Sequence, residues 1–121
     1  EHDKKWYEKL IEYIPENVEL IHCELKYGGD YCKSAVSTDR KFSIIIVDGR
    51  DRVNCILNST SSISHDGVLI LDDSEREEYQ SGVIHLKQLG YNELDFWGIA
   101  PGIFFNKCTS VFYKDNNCLG I

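Results

Sequence analysis

Three acidic residues stand where this chain could do chemistry. Asp48 closes the apolar run Phe42-Ser43-Ile44-Ile45-Ile46-Val47, and Asp72 and Asp73 close the run Gly67-Val68-Leu69-Ile70-Leu71. Three carboxylates brought to one place repel each other unless a cation or hydrogen-bond donors neutralise them. Hard oxygen donors of this kind suit Mg²⁺ or Ca²⁺. A plainer reading keeps Asp48 beside a ligand and uses Asp72 and Asp73 to cap the helix that follows. Gly49, Arg50, Asp51 and Arg52 come directly after Asp48. Arg50 and Arg52 read as solvated residues at a helix start, with binding of an anionic acceptor as the alternative.

The elements that hold these residues follow from the pattern. Both apolar runs are short and β-branched, as in strands buried on both faces of a parallel sheet. Roughly 18 residues separate them, which suits a crossover helix and is too long for a hairpin. The unit is therefore β-α-β, and its acids lie at the carboxyl ends of the strands, where open α/β sheets bind ligands. The crossover helix is predicted from about Arg50 to Ile63, burying Val53, Ile56 and Leu57, with His65-Asp66-Gly67 as a turn. Asn58-Ser59-Thr60 fits a glycosylation pattern but falls in that helix, so it reads as chance.

Upstream, residues 4 to 14 have helical spacing at Trp6, Tyr7, Leu10, Ile11 and Ile14, with Asp3 as cap and Pro15 as stop. Val18 to Leu25 reads as a strand, with His22 packed and hydrogen-bonded inside it. Lys26 to Lys41 is irregular; Tyr27-Gly28-Gly29-Asp30-Tyr31 has turn chemistry, and a short helix fits Tyr31 to Val36. Downstream, Ser74 or Asp73 caps a predicted helix from about Glu75 to Leu89, closed by Gly90. Tyr91–Trp97 and Cys108–Tyr113 alternate as strands. The expected sheet has 42–47 and 67–71 as parallel neighbours, 108–113 antiparallel beside 67–71, and 91–97 outside it.

The 121 residues suit one domain, 1–121, and 42% apolar residues supply a core. A net charge of −7 argues against a surface for nucleic acid or anionic membrane. No run approaches the length of a membrane span, and no signal-peptide pattern occurs. Cys23, Cys32, Cys55, Cys108 and Cys118 include no C-x-x-C pair, which points to reduced thiols in a cytoplasmic protein. The chain contains no methionine, so the expectation is an N-terminally truncated or processed domain.

The order of elements, the acidic strand ends and the closing antiparallel pair resemble the class I S-adenosylmethionine-dependent methyltransferases. Phe42-Ser43-Ile44-Ile45-Ile46-Val47-Asp48-Gly49 is similar to that family's fourth-strand motif. His65-Asp66-Gly67-Val68-Leu69-Ile70-Leu71-Asp72-Asp73 is similar to its fifth-strand motif. Asp95-Phe96-Trp97-Gly98 and Cys108-Thr109-Ser110-Val111-Phe112-Tyr113 look like the end of a subgroup of small methyltransferases. The resemblance implies an α/β fold with a Rossmann-like methyltransferase sheet, partial, lacking the first strand and its glycine-rich loop. It implies S-adenosylmethionine as cofactor and a small-molecule acceptor, with O-methylation as a candidate reaction. Glu1 then looks like the acid that binds the cofactor ribose, with Asp48 and Gly49 as further cofactor-binding residues and Asp48 as the catalytic one. In the catechol-type members, acids at the positions of Asp48, Asp72 and Asp73 hold a divalent cation such as Mg²⁺ that orients the acceptor hydroxyl. Those members carry a lysine where this chain has Asp51. Two other readings compete: a non-catalytic or decayed Rossmann-like nucleotide-binding module, and a phosphoacceptor receiver domain with Asp48 as acceptor. The receiver needs an acidic pair before its acceptor, and here the pair follows it.

Overall fold

The computed structural model describes residues 1–102 and 104–121. The first helix, α1 (Lys4–Leu10), starts where the Asp3 side chain accepts a hydrogen bond from the Trp6 N–H at 3.0 Å. It ends earlier than residue 14 and buries no side chain; Trp6 and Ile11 are exposed, because no described element lies over them. A 3-10 turn (Tyr31–Lys33) leads into the single turn α2 (Ser34–Ser37). Then come β1 (Phe42–Val47), α3 (Arg52–Ser59), β2 (Ile63–Asp72), α4 (Gln80–Gln88), β3 (Asn92–Ile99) and β4 (Asn106–Tyr113).

The sheet order is β1-β2-β4-β3. β1 and β2 are parallel, β4 runs antiparallel to β2, and β3 pairs antiparallel with β4 at the edge. These are the pairings expected from the long crossover and the short final link.

Alternation along the strands divides the two faces. On one face Val47, Leu69, Leu71 and Phe112 pack with Ile56 of α3 and with Val83 and Leu86 of α4. Gly82 allows α3 and α4 to touch, since a Cβ there would lie 2.7 Å from Ile56 Cδ1. The other face carries the row Ile46, Ile70, Val111, Leu94, set by the register of the four strands. Ile44 is 45% exposed and Ile46 is 65% exposed. β1 is therefore not buried on both faces as its composition suggests. Its run is apolar enough for two covered faces, but among the described residues helices cover only one.

Three further local expectations are corrected. Residues 18–25 form no strand: among the described residues their backbone bonds across the chain are those to Glu1, and a single residue makes no ladder. His22 packs against the Tyr7 ring at 5.4 Å, but its buried Nε2 has no hydrogen-bond partner. His65-Asp66-Gly67 is not a turn but part of β2, which starts at Ile63.

The β1–β2 register shifts between Phe42 and Ile44, and Gly67 lies at that shift. A Cβ at Gly67 would stand 2.8 Å from the Phe42 carbonyl oxygen and 2.6 Å from Ile63 Cγ2. Backbone cannot give way as a side chain can. Gly67→Ala is expected to lower unfolding free energy by about 1–3 kcal/mol, the usual range for overpacking. Urea denaturation measures it, and an unchanged midpoint would refute the close approach.

Candidate functional site

The parallel register carries the acids together. Val47 pairs with Leu71, so Asp48 and Asp72, one residue further along each strand, arrive at the same sheet edge. Asp73 follows with φ +53°, a left-handed conformation that aspartate tolerates better than most residues.

Arg52 is the hub. It is 8% exposed, so it is not the solvated helix-start residue its position suggests. Its Nε donates to the Gly49 carbonyl at 3.0 Å, and its Nη1 donates to the Asp72 carbonyl. One guanidinium thus ties the end of β1 to the end of β2. Its Nη2 also lies 3.2 Å from Asp48 Oδ1 and 3.5 Å from Asp73 Oδ2, and its Nη1 lies 3.7 Å from Asp72 Oδ2. The Tyr79 ring stacks on it, 5.1 Å from the guanidinium carbon.

Two more cations complete the arrangement. Arg76 Nη2 lies 2.7 Å from Asp73 Oδ2. Lys107, from β4, pairs with Asp73 Oδ1 and lies 3.7 Å from Asp72 Oδ2. Thr109 donates to Asp72 Oδ1 at 2.9 Å. Asp73 is 3% exposed and surrounded by cations, so it is not a helix cap. The adjacent Ser74 is not one either: its hydroxyl bonds Ser110 Oγ at 2.6 Å and the Cys108 carbonyl at 3.2 Å.

The two outer acids differ. Burial raises the Asp48 pKa, and hydrogen bonding to Asp72 with the repulsion of its charge raises it further. Burial also works against the charge on Asp72, yet hydrogen bonds from Thr109 and Asp48, with Lys107 and Arg52 nearby, hold its pKa below the ordinary value.

Asp48, Asp72 and Asp73 are the oxygen donors that the acidic cluster would offer a divalent cation. Asp48, Asp72 and Asp73 face Arg52, Arg76 and Lys107, so three negative charges meet three positive ones. Both Asp73 oxygens are already taken. In this arrangement the residues do not fit a resident divalent cation, because they have no net charge to offer it. Among the described residues, no group of three or more His, Cys, Asp and Glu is arranged to hold a metal ion.

Glu1, Asp48 and Gly49 meet elsewhere at the same edge. They line a cavity of about 240 Å³ with Tyr31, Ile46 and Arg50. Glu1 is held by its backbone: its amino group donates to the Ile21 carbonyl, and its carbonyl accepts from the Cys23 N–H, both at 2.9 Å. This is the bonding of one residue in a parallel ladder. The Asp3 N–H, bonded to the Glu1 carboxylate, lowers its pKa. His2 stacks edge-on against Tyr31 at 5.9 Å, and the Tyr31 hydroxyl accepts from the Arg50 N–H at 3.2 Å. That hydroxyl occupies the space a Cβ at Gly49 would need.

Cys32 and Cys55 line the same cavity. Burial raises both thiols, that of Cys55 to about 11, so neither is poised as a nucleophile. The five cysteines are free.

Sequence reading missed Tyr31, Arg76, Tyr79, Lys107 and Thr109. Thr109 and Lys107 carried one usable signal: they alternate on one face of the predicted strand 108–113 and its approach, beside the acids of 67–73. No family model, curated protein or solved structure matches this chain. Among the described residues, no helix is long and apolar enough to cross a membrane.

Proposed function

We propose that this chain is part of an S-adenosylmethionine-dependent methyltransferase domain that acts on a small-molecule acceptor. The observation that carries the reading is the convergence of Glu1, Asp48 and Gly49 on one cavity at the carboxyl edge of the sheet. The strand order β1-β2-β4-β3, with β4 antiparallel, supports it as well. So does the parallel-type bonding of Glu1 to residues 21 and 23, which holds Glu1 in place at the cavity.

When bound, S-adenosylmethionine supplies an electrophilic methyl group. Glu1, which lines the cavity and whose pKa is lowered, would accept hydrogen bonds from the ribose hydroxyls. Gly49, which has no Cβ, makes room for the Tyr31 hydroxyl that lines the cavity. For O-methylation, Asp48 would accept the proton of the acceptor hydroxyl, and the bound cofactor would give up its methyl group from sulfur and leave as S-adenosylhomocysteine. The raised pKa of Asp48 suits a general base better than an ordinary aspartate. The neighbouring Asp72 charge contributes to that raised value.

The test uses the natural full-length polypeptide and measures S-adenosylhomocysteine binding by calorimetry. Glu1→Gln is expected to weaken binding by about 1.5–3 kcal/mol, the range for a hydrogen bond to a charged group. Asp48→Asn is expected to cut methyl transfer sharply with little loss of stability. A wild-type protein that does not bind S-adenosylhomocysteine would remove the reading. The second reading, a non-catalytic nucleotide-binding module, is favoured by one observation: the carboxylates are saturated by Arg52, Arg76 and Lys107. Cofactor binding by the wild-type protein with no methyl transfer to any small-molecule acceptor would select it.

A further inference from the structure

Arginine is unevenly distributed in this acidic chain. Of its four arginines, Arg50, Arg52 and Arg76 line one cavity of about 380 Å³, together with Tyr27, Tyr79, Asp51 and Glu78. The fourth, Arg40, lies elsewhere and pairs with Glu19 at 3.1 Å.

The acids of this cavity are largely committed. Asp51 Oδ2 accepts from the Gly28 N–H at 2.8 Å, and its Oδ1 accepts from Asn54 Nδ2 at 2.8 Å. Asp73 is taken up by Arg52, Arg76 and Lys107. Glu78 is exposed and only reaches Arg76 at 3.9 Å. Arg50 is exposed and has no carboxylate partner among the described residues. The bond from Gly28 to Asp51 latches the Tyr27 turn against the start of α3, and so holds Tyr27 at the rim beside Arg50. The Tyr79 ring centre lies 5.1 Å from the Arg52 guanidinium carbon and 5.9 Å from that of Arg76.

We propose that this cavity binds an oxyanion, a carboxylate or phosphate group, with Arg50 as its principal partner. The fork of a guanidinium matches either group with two parallel hydrogen bonds. Arg76, itself partly exposed, and the Tyr27 hydroxyl supply further donors. The cavity shares Gly49 and Arg50 with the one that holds Glu1 and Asp48. On the methyltransferase reading, the anion is therefore the anchoring group of the acceptor, whose nucleophile lies toward Asp48.

The test titrates the natural full-length polypeptide with inorganic phosphate and, separately, with acetate, followed by NMR amide shifts. Low ionic strength is needed because Arg50 is exposed and salt screens it. Saturable shifts at Tyr27 and Gly49–Arg52 with at least one anion are expected, and the stronger of the two identifies the group. Arg50→Gln should weaken binding at least about tenfold. Arg50→Lys should fall between, because it keeps the charge and loses the fork. Arg40→Gln should bind as wild type does. No saturable shift with either anion, or equal binding by Arg50→Gln and wild type, would overturn the proposal. Anion binding in a protein that fails to bind S-adenosylhomocysteine would keep the oxyanion site and remove only its identification as an acceptor anchor.

Discussion

Asp73→Ala is expected to cost this chain about 3–5 kcal/mol of stability, the range seen when one partner of a buried ion pair is removed. Asp73 is 3% exposed, and its two oxygens serve Lys107, Arg76 and Arg52. Without it, Arg52 remains buried with one fewer counter-charge, and Arg52 is the group that ties β1 to β2. Alanine would also have to adopt φ +53°, which aspartate and asparagine tolerate better. Asp73→Asn keeps that tolerance and loses only charge, so it should lie between alanine and wild type. A loss of this size is a large part of the 5–15 kcal/mol typical of a whole domain. Urea denaturation of the two variants decides the matter. A cost near 1 kcal/mol for Asp73→Ala would match a simple helix cap and would reject the ion-pair account.

The polypeptide of these 121 residues is expected to self-associate through β1. The strand Phe42–Val47 has β2 on one side, and among the described residues no strand on the other. It contains no charge and no proline, and Ile44 and Ile46 are exposed on its open face. Such an edge templates pairing with another chain, and natural edge strands use inward-pointing charges to prevent it. Ile46→Lys introduces that charge. Taking an ammonium out of water disfavours association, and about 1.4 kcal/mol suffices for a tenfold change. Sedimentation velocity across a concentration series should show oligomers for wild type and a shift toward monomer for Ile46→Lys. A wild-type chain that stays monomeric throughout would show that its edge is not available for pairing.

Some features of this protein belong to its sequence alone. The β-α-β unit was readable because the apolar runs 42–47 and 67–71 are local and β-branched, and their separation leaves room only for a crossover. Register then follows, so Asp48 and Asp72 had to arrive together. The edge hairpin was readable for the same reason: alternation from Tyr91 and from Cys108 is a short-range signal.

Other features were decided only by tertiary structure. Residues 18–25 have a strand composition, but a strand exists only where a neighbour completes its hydrogen bonds, and among the described residues Glu1 supplies just two of them. The charge state of the site was equally illegible. Arg52, Arg76 and Lys107 come from α3, the loop after β2 and β4, and nothing in their spacing says that their side chains reach one buried aspartate. The same acids could have met a divalent ion, and the choice depends on which cations the packing brings within a few ångströms. Coulomb energy in a dry site depends on those distances and on burial, and sequence order contains neither.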